Sequence, residues 1–293
     1  MENISVVIPV YGEWKLAKKN IDSILALEEA NVNEIIVVDD CSPELNPYTF
    51  ENKKVKLIRN INNLGYAGTV NNGLKIANSN YILLLDSDAH LIKPVVKKLI
   101  SMFKADRLLG TIGLTAIGEY GQRTGSFQLK PTILGYVVGQ AAEAKLGDSF
   151  NNKQRLMLPF SCCLAFRKSC LQEVEYFDDV TFPQVESDVD LGIRIFKAGW
   201  KTLITNDLVV YHQGGNSYKV NSKRVRLYHQ AKWKLLLRHY DIKYPKILKY
   251  SLALRVRLEI GLMQIMCLVK SNGNNITEKL LGRKQLLEDI RHY

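Results

Sequence analysis

Two acids, Asp86 and Asp88, stand one residue apart at the end of the run Tyr81-Ile82-Leu83-Leu84-Leu85. Five apolar residues in succession predict a strand buried on both faces. In an open α/β sheet, ligands bind outside the carboxyl ends of the strands. Two carboxylates there offer hard oxygen ligands. They suit a divalent cation that also carries phosphate oxygens, because Mg²⁺ usually takes only one or two protein carboxylates. A strand followed by a plain polar turn fits the same residues equally well.

A second set of acids is Glu186-Ser187-Asp188-Val189-Asp190. It opens a helical pattern in which Leu191, Ile195 and Ala198 share a face and Gly199 is the stop. The helix dipole favours acids at that end. Capping explains one of them; three within five residues exceed a cap. His212 follows a β-branched stretch and leads into Gln213-Gly214-Gly215-Asn216-Ser217. Those neighbours make a poor core and a suitable site loop, although a lone His after a strand also fits a structural role.

The elements that must hold these residues follow a regular order. Ile4-Ser5-Val6-Val7-Ile8-Pro9-Val10 is a first strand, with its end set near Pro9, which lacks a ladder donor. Residues 14–27 have helical spacing. Glu34-Ile35-Ile36-Val37-Val38-Asp39-Asp40 is a second buried strand ending in acids, and Val55-Lys56-Leu57-Ile58 a third. Residues 62–73, rich in Asn and Gly, are expected as a loop that runs into a helix through Ala77. This alternation predicts an α/β fold with a mostly parallel, doubly wound sheet. Three strand ends, at 9–13, 39–42 and 86–88, then fall on one edge and describe a nucleotide-sized crevice. Neither GxGxxG after the first strand nor GxxxxGK[ST] occurs, which argues against a dinucleotide dehydrogenase and a P-loop NTPase. Further along, residues 94–103 and 168–174 read as helices and 112–117 as a strand. Residues 128–148 read as irregular with some helix and partly mobile, 156–166 as one strand, and 202–205 and 208–211 as two short strands.

Lys plus Arg number 40 and Asp plus Glu 29, a net charge of +11. From Tyr218 to Tyr293 there are 17 basic and 5 acidic residues, so this segment carries +12 and the rest −1. Such a tail suggests a polyanionic partner or a solvated helical face. Its alternation of basic, aromatic and apolar residues over 225–237 and 250–269 has the pattern of helices in a membrane interface; packing on the body or a homodimer face is the competing expectation. The odd set of five cysteines lacks a CxxC pair and fits reduced thiols in a cytoplasmic protein. No signal peptide and no bilayer-spanning segment is expected.

Taken together, the segments Val7-Ile8-Pro9-Val10-Tyr11, Ile36-Val37-Val38-Asp39-Asp40 with Ser42, Asn63-Leu64-Gly65-Tyr66-Ala67-Gly68 with Asn71 and Gly73, Asp86-Ser87-Asp88, and Ser187-Asp188-Val189-Asp190-Leu191 with Arg194, Gly199, His212, Gly215 and Ser217 resemble the family-2 glycosyltransferases of the GT-A fold, in particular rhamnosyltransferase-like bacterial members. The resemblance covers about residues 4–217. It implies a GT-A catalytic domain over 1–217, with a nucleotide-sugar half to about 110 and an acceptor half over 111–217, followed by a basic helical extension over 218–293. It implies that Pro9, Tyr11 and Glu13 line the base and ribose, that Asp39 contacts the base with Asp40 nearby, and that Gly65, Tyr66 and Asn71 cover the nucleotide. Asp86, Ser87 and Asp88 match the DxD motif that holds Mn²⁺ or Mg²⁺ on the diphosphate, His212 matches a third metal-side ligand, and Asp188 matches the base that deprotonates the acceptor. The partners so implied are a nucleotide-diphosphate sugar donor and a saccharide or lipid-linked acceptor, with no nucleic acid. The reduced thiols and the basic tail add the expectation of a cytoplasmic protein, peripheral at the inner face of the cell membrane. Ser187 stands where the family often has Glu, and Glu175-Tyr176-Phe177 where it usually has Gly-Gly-Phe. The activity expected is metal-dependent, inverting sugar transfer in surface glycan synthesis. A sugar nucleotidyltransferase and a non-catalytic basic polyanion-binding protein are the alternatives. The first should carry a Gly-rich basic loop after the first strand, unlike Tyr11-Gly12-Glu13-Trp14; the second leaves the acids unexplained.

Overall fold

The computed structural model describes residues 3–125, 127–139, 156–213, 222–269 and 274–293. The chain divides into two compact units: Met1–Leu129 with Met157–Gly214, and Lys130–Leu156 with Gly215–Tyr293. The second unit thus takes in a segment from the middle of the sequence as well as the basic tail.

In the first unit, β1 (Ile4–Val10) is buried at every position. It lies parallel to β2 (Val32–Asp39) on one side and to β4 (Tyr81–Leu85) on the other. β3 (Val55–Arg59) extends the sheet beyond β2. Successive side chains on a strand point to opposite faces, and the core divides accordingly. Val6 and Ile8 pack with Ala17, Ile21 and Ile24 of α1 (Trp14–Glu28) and with Leu99 and Phe103 of α3 (Val96–Ala105). Val7 on the other face packs with Val70 and Leu74 of α2 (Gly65–Ile76) and with Leu191 and Ile195 further along the chain. Burial on both faces is why these strands read as unbroken apolar runs.

Four elements differ from the sequence-based expectation. α2 begins at Gly65, inside the Asn/Gly-rich stretch expected as loop. Its glycines permit close approach: a Cβ on Gly73 would sit 2.5 Å from Val7 Cγ1. The helix therefore lies tight against the sheet, and packing overrides propensity. The expected strand over 156–166 is two, β9 (Met157–Pro159) and β10 (Cys163–Arg167). β9 pairs with β8 (Phe127–Leu129) in a separate ribbon, whereas β10 runs antiparallel between β4 and β6 (Leu109–Ile117). The sheet is consequently mixed, in the order β3-β2-β1-β4-β10-β6-β11-β5. The two short strands expected over 202–211 are one strand, β11 (Lys201–His212), whose pairing with β6 shifts register between Ile204 and Val209. Asn206 and Asp207 fall at that shift and read as a break in the sequence. Finally, β5 (Ala89–Leu91) pairs antiparallel with β11, placing His212 opposite Ala89. Three residues are too few for periodicity to reveal. β7 (Arg123–Gly125) pairs with β6.

The second unit is helical. Its described helices are α4 (Ile133–Val138), α7 (Ser222–His239), α8 (Pro245–Val269) and α9 (Asn274–Asp289), α5 (Lys168–Glu173) and α6 (Ser187–Lys197) belonging to the first unit. Thr132 caps α4 by accepting the Gly135 N–H at 2.9 Å. The core gathers Tyr136, Trp233, Leu236, Leu252, Val256 and Leu286. Arg226 holds Asp289 through two N–H···O bonds of 2.7 Å. Of the expected irregular stretch 128–148, residues 133–138 are helical and 140–148 lie outside the described residues. Among the described residues no helix is long and apolar enough to cross a membrane.

Candidate active site

β4 ends at Leu85, and the chain turns through Asp86-Ser87-Asp88 into β5. The β5–β11 pairing then carries His212 back to the acids. Its Nε2 lies 3.1 Å from Asp88 Oδ1. One ligand atom each from Asp86, Asp88 and His212 fall within 4.8 Å of one another. Asp88 is buried, and its Oδ2 has no hydrogen-bond partner among the described residues. An unpartnered buried carboxylate oxygen is costly. Together Asp86, Asp88 and His212 offer a donor set of two oxygens and one nitrogen. These three residues therefore fit a divalent cation of the Mn²⁺ or Mg²⁺ kind.

The electrostatics agree. Burial and the Asp88 carboxylate lift the Asp86 carboxyl to about 6. Burial opposes charge on His212, but the hydrogen bond to Asp88 and the surrounding acids outweigh it and hold the imidazolium up to about 9. A protonated histidine thus supplies the positive charge that the acids demand, as a cation would.

Neighbouring elements orient the acids. Tyr66, on the first turn of α2, donates its hydroxyl to Asp86 Oδ1 at 2.9 Å. Asn20 of α1 donates to the Asp86 carbonyl at 2.9 Å. Thr124 donates to the His212 carbonyl at 2.9 Å and stands 3.4 Å from its Nδ1. Glu13 lies 3.5 Å from the Ser87 hydroxyl, and burial and the nearby Asp88 raise its carboxyl. This brings the end of β1 to the end of β4.

Asp188 sits in the first turn of α6, preceded by Glu186 in the left-handed region (φ 63°). Its carboxylate accepts the Val189 N–H at 2.9 Å and the Ser161 N–H at 3.3 Å. Burial nevertheless raises its carboxyl above the usual range. The Ser161 carbonyl accepts from Tyr66 at 3.3 Å, so Ser161 joins Asp188 to the Asp86 side of the site. Asp190, the other acid of that turn, is fully buried and paired with Arg194 Nε at 2.7 Å. Arg194 also donates to the carbonyls of Val174 and Tyr176, so the pair ties α6 to residues 174–176.

Asp39 and Asp40 form a separate network. Asp39 is held by Arg59 and by the Ser42 hydroxyl, which donates at 2.5 Å and in turn accepts the Gly12 N–H at 2.8 Å. This fastens the turn carrying Tyr11, which is exposed, to the end of β2; Pro9 is buried within β1. Asp40 accepts the N–H groups of Leu64 and Gly65 at 2.7 and 3.0 Å, anchoring the start of α2. Asn71 is turned elsewhere: its amide donates to the Phe177 carbonyl and accepts the Phe177 N–H, at 2.9 and 3.0 Å. Ser161, Thr124 and Asn20 escaped the sequence reading, because nothing in their local sequence marks them. Gly215 and Ser217 lie outside the described residues.

An α/β sheet with acids that could hold a cation at the carboxyl end of a central strand, and a further carboxylate joined to them through Ser161, fits the GT-A transferases. The chain belongs to glycosyl transferase family 2, whose model matches residues 5–174. It is 26% identical over 196 residues to the glycosyltransferase GlyG of Streptococcus pneumoniae serotype 4, covering 61% of this chain and 62% of that protein. It is 26% identical over 184 residues to a poly-beta-1,6-N-acetyl-D-glucosamine synthase of Staphylococcus epidermidis, covering 61% of this chain and 42% of the synthase. The chain thus spans less than two thirds of these relatives. The mannosyltransferase PcManGT of Pyrobaculum calidifontis, solved with GDP-Man and Mn²⁺, shares the fold with a TM-score of 0.56 at 14% identity, over 99% of this chain and 86% of that one.

Proposed function

We propose that the protein is a metal-dependent, inverting glycosyltransferase that moves a sugar from a nucleotide-diphosphate donor to a hydroxyl of a saccharide or lipid-linked acceptor in surface glycan synthesis. The observation that carries this is the meeting of Asp86, Asp88 and His212, with an orphaned carboxylate oxygen among them, beside a separate carboxylate at Asp188. The activity of the poly-beta-1,6-N-acetyl-D-glucosamine synthase supports sugar transfer, and the GDP-Man and Mn²⁺ of the mannosyltransferase support the donor class.

Asp86, Asp88 and His212 would hold Mn²⁺ or Mg²⁺. Bound there, the cation supplies neutralisation of the departing diphosphate. Tyr66 keeps the Asp86 carboxylate in one orientation. Asp188, whose carboxyl is raised by burial, accepts the proton of the acceptor hydroxyl as it attacks. A base and a leaving group served by different carboxylates favour attack from the face opposite the diphosphate, hence inversion. Pro9, Tyr11, Glu13, Asp39 and Asp40 line the donor's base and ribose in this reading, and the start of α2 at Gly65 closes over it, while Asn71 supports that helix from behind through Phe177. Gly65 has φ +75° and a Cβ there would meet the Pro183 carbonyl oxygen at 2.7 Å, so only glycine fits.

A donor screen tests the proposal. Thermal shift with each nucleotide sugar, with and without Mn²⁺, should single out one donor whose stabilisation needs the metal. Turnover of that donor should then vanish with chelator. A chain stabilised by no nucleotide sugar in the presence of Mn²⁺ or Mg²⁺ would remove the basis for the proposal.

A further inference from the structure

Helix α8 (Pro245–Val269) is apolar on two opposite faces. Leu248, Leu252 and Val256 point into the core of the helical unit and are buried. On the other side Ile247, Tyr250, Leu254, Leu258, Leu262 and Ile265 follow one another at three- and four-residue spacing, with exposures from 58% to 70%. At 1.5 Å rise per residue this stripe is about 27 Å long. Large contiguous exposed apolar surface on a soluble unit marks an interaction site.

The charges around the stripe choose its occupant. Exposed Lys246 and Arg257 flank it on one side, and Lys243 precedes the helix. The single acid in α8 is Glu259, which is held by Arg255 Nε at 2.7 Å and Arg283 Nε at 3.0 Å. The rim is therefore basic and the face carries no acid. Two copies of this face brought together would set basic rim against basic rim with no acid to pair. An anionic bilayer satisfies both features, apolar side chains entering the acyl boundary and Lys and Arg meeting lipid phosphates. The tyrosines suit the same depth, with an apolar ring and a polar hydroxyl.

We infer that the outward face of α8 is a docking surface for an anionic lipid bilayer, on which the helix lies rather than crosses. This narrows the expectation drawn from the sequence. Of the two basic stretches, residues 225–237 turn Trp233, Leu235 and Leu236 inward, where they are buried. The contact thus belongs to α8. It belongs to the helical unit and uses none of the donor-site residues, so a chain that fails every nucleotide-sugar screen can still dock, and the reverse.

The test is sedimentation of the full-length chain with vesicles of phosphatidylglycerol and phosphatidylcholine in equal parts, and of phosphatidylcholine alone, at low and high salt. Light scattering gives its mass in solution. Wild type should sediment with the anionic vesicles at low salt and be released at high salt. The variant Leu254→Asn/Leu258→Asn should lose at least tenfold in apparent affinity, with melting temperature and mass unchanged, since both positions are exposed. A second variant, Lys246→Glu/Arg257→Glu, should lose the preference for anionic lipid. Absence of wild-type binding to anionic vesicles, or equal binding by both variants, overturns the inference. A wild-type dimer that Leu254→Asn/Leu258→Asn turns monomeric also overturns it and assigns the face to a second copy.

Discussion

Asp88 uses one carboxylate oxygen on His212 and buries the other without a partner among the described residues, while the Asp86 carboxylate stands close by. Replacing it should therefore separate chemistry from folding. Asp88→Ala is expected to abolish metal-dependent turnover while leaving the fold intact, since the loss of its pair with His212 is partly offset by removal of a like charge beside Asp86. A folded variant that transfers sugar at the wild-type rate would show the site to be misassigned. Protons report on the same residues. Asp86 titrates at about 6 and His212 at about 9 before a cation arrives. A cation must displace whatever protons its ligands carry. Near neutral pH Asp86 is already ionised and His212 is still protonated, so binding should release about one proton, rising toward about two below pH 6. The sign for stability follows. Asp86 binds more protons folded than unfolded between its ordinary range and about 6, so its contribution falls as pH rises through that window. The His212–Asp88 pair contributes below the ordinary histidine range and is lost as pH rises through about 9. Mn²⁺ should accordingly raise the melting temperature more at neutral pH than at pH 5. Calorimetry in buffers of different ionisation enthalpy counts the protons, and His212→Ala should lower the release measured at pH 8, well above the Asp86 range; an unchanged count there would take His212 out of the ligand set. Asp188→Asn is nearly isosteric but accepts no proton at neutral pH. It should leave the donor KM unchanged and lower kcat by about 10²-fold or more. The opposite split, weaker donor and normal turnover, would move the base elsewhere. Of these residues the acids were legible, because charge abutting an apolar run is a local signal. The site loop opening at His212 was legible from its Gly, Asn and Ser neighbours, but its place beside the acids, like that of Tyr66, was legible only through family resemblance. Ser161 and Thr124 act through backbone contacts made between distant parts of the chain, which no local pattern encodes.

At the scale of elements, α2 decides how closely the helical layer approaches the sheet. An alanine in place of Gly73 would gain about 1 kcal/mol of helix propensity on an exposed helix. Here its Cβ meets Val7 Cγ1 at 2.5 Å and Val38 Cγ2 at 3.1 Å, and both valines are fully buried. Overpacking of that kind costs about 1–3 kcal/mol and outweighs propensity. Gly73→Ala should lower the urea midpoint with the slope unchanged, and it should weaken donor binding if tilting α2 moves Tyr66 off Asp86. A variant as stable as wild type would mean that the helix has room to shift. The same close contact is why sequence periodicity misplaced the start of α2: Asn and Gly are loop residues by propensity, and only the neighbouring strands make them helical. β1, β2 and β4 were legible because burial on both faces leaves an unbroken apolar run. The antiparallel placement of β10 was not, since a buried strand looks the same in either direction. The pairing of β5 with β11 was equally hidden, yet it delivers His212 to Asp88.

For the whole molecule, the decisive feature is that the helical unit draws on two parts of the chain. α4 lies far from the tail in sequence, but its Tyr136 is 5% exposed and sits in the same core as Trp233, Leu236 and Leu252. The Tyr136 hydroxyl donates to the His229 carbonyl at 3.1 Å, and Arg255 Nη1 donates to the Tyr136 carbonyl at 2.5 Å. Tyr240 donates to the Pro131 carbonyl close by. A boundary drawn after residue 217, where the charge balance changes, therefore parts α4 from the helices that cover it. Charge composition changes at one place in the sequence, while burial joins residues separated by about a hundred positions; that is why composition alone places the division there. A chain ending at residue 217 should keep β1, β2, β4 and the acids intact, since their cores are formed without the tail. It should also leave Tyr136 and its surroundings open to water and associate through them. The expected result is a truncated chain that shows the metal-dependent nucleotide-sugar shift of the full one but aggregates at concentrations where the full chain is monodisperse. Replacing Tyr136 by Ser in that truncated chain should reduce the aggregation. In the full chain the same Tyr136→Ser change should destabilise the helical unit by about 3 kcal/mol or more, the scale of deleting a buried aromatic side chain. Limited proteolysis reads this directly: cleavage within α7 and α8 should accelerate while the donor-induced shift is kept. Equal proteolysis of Tyr136→Ser and wild type would mean that α4 is an ornament on the helical unit rather than part of its core.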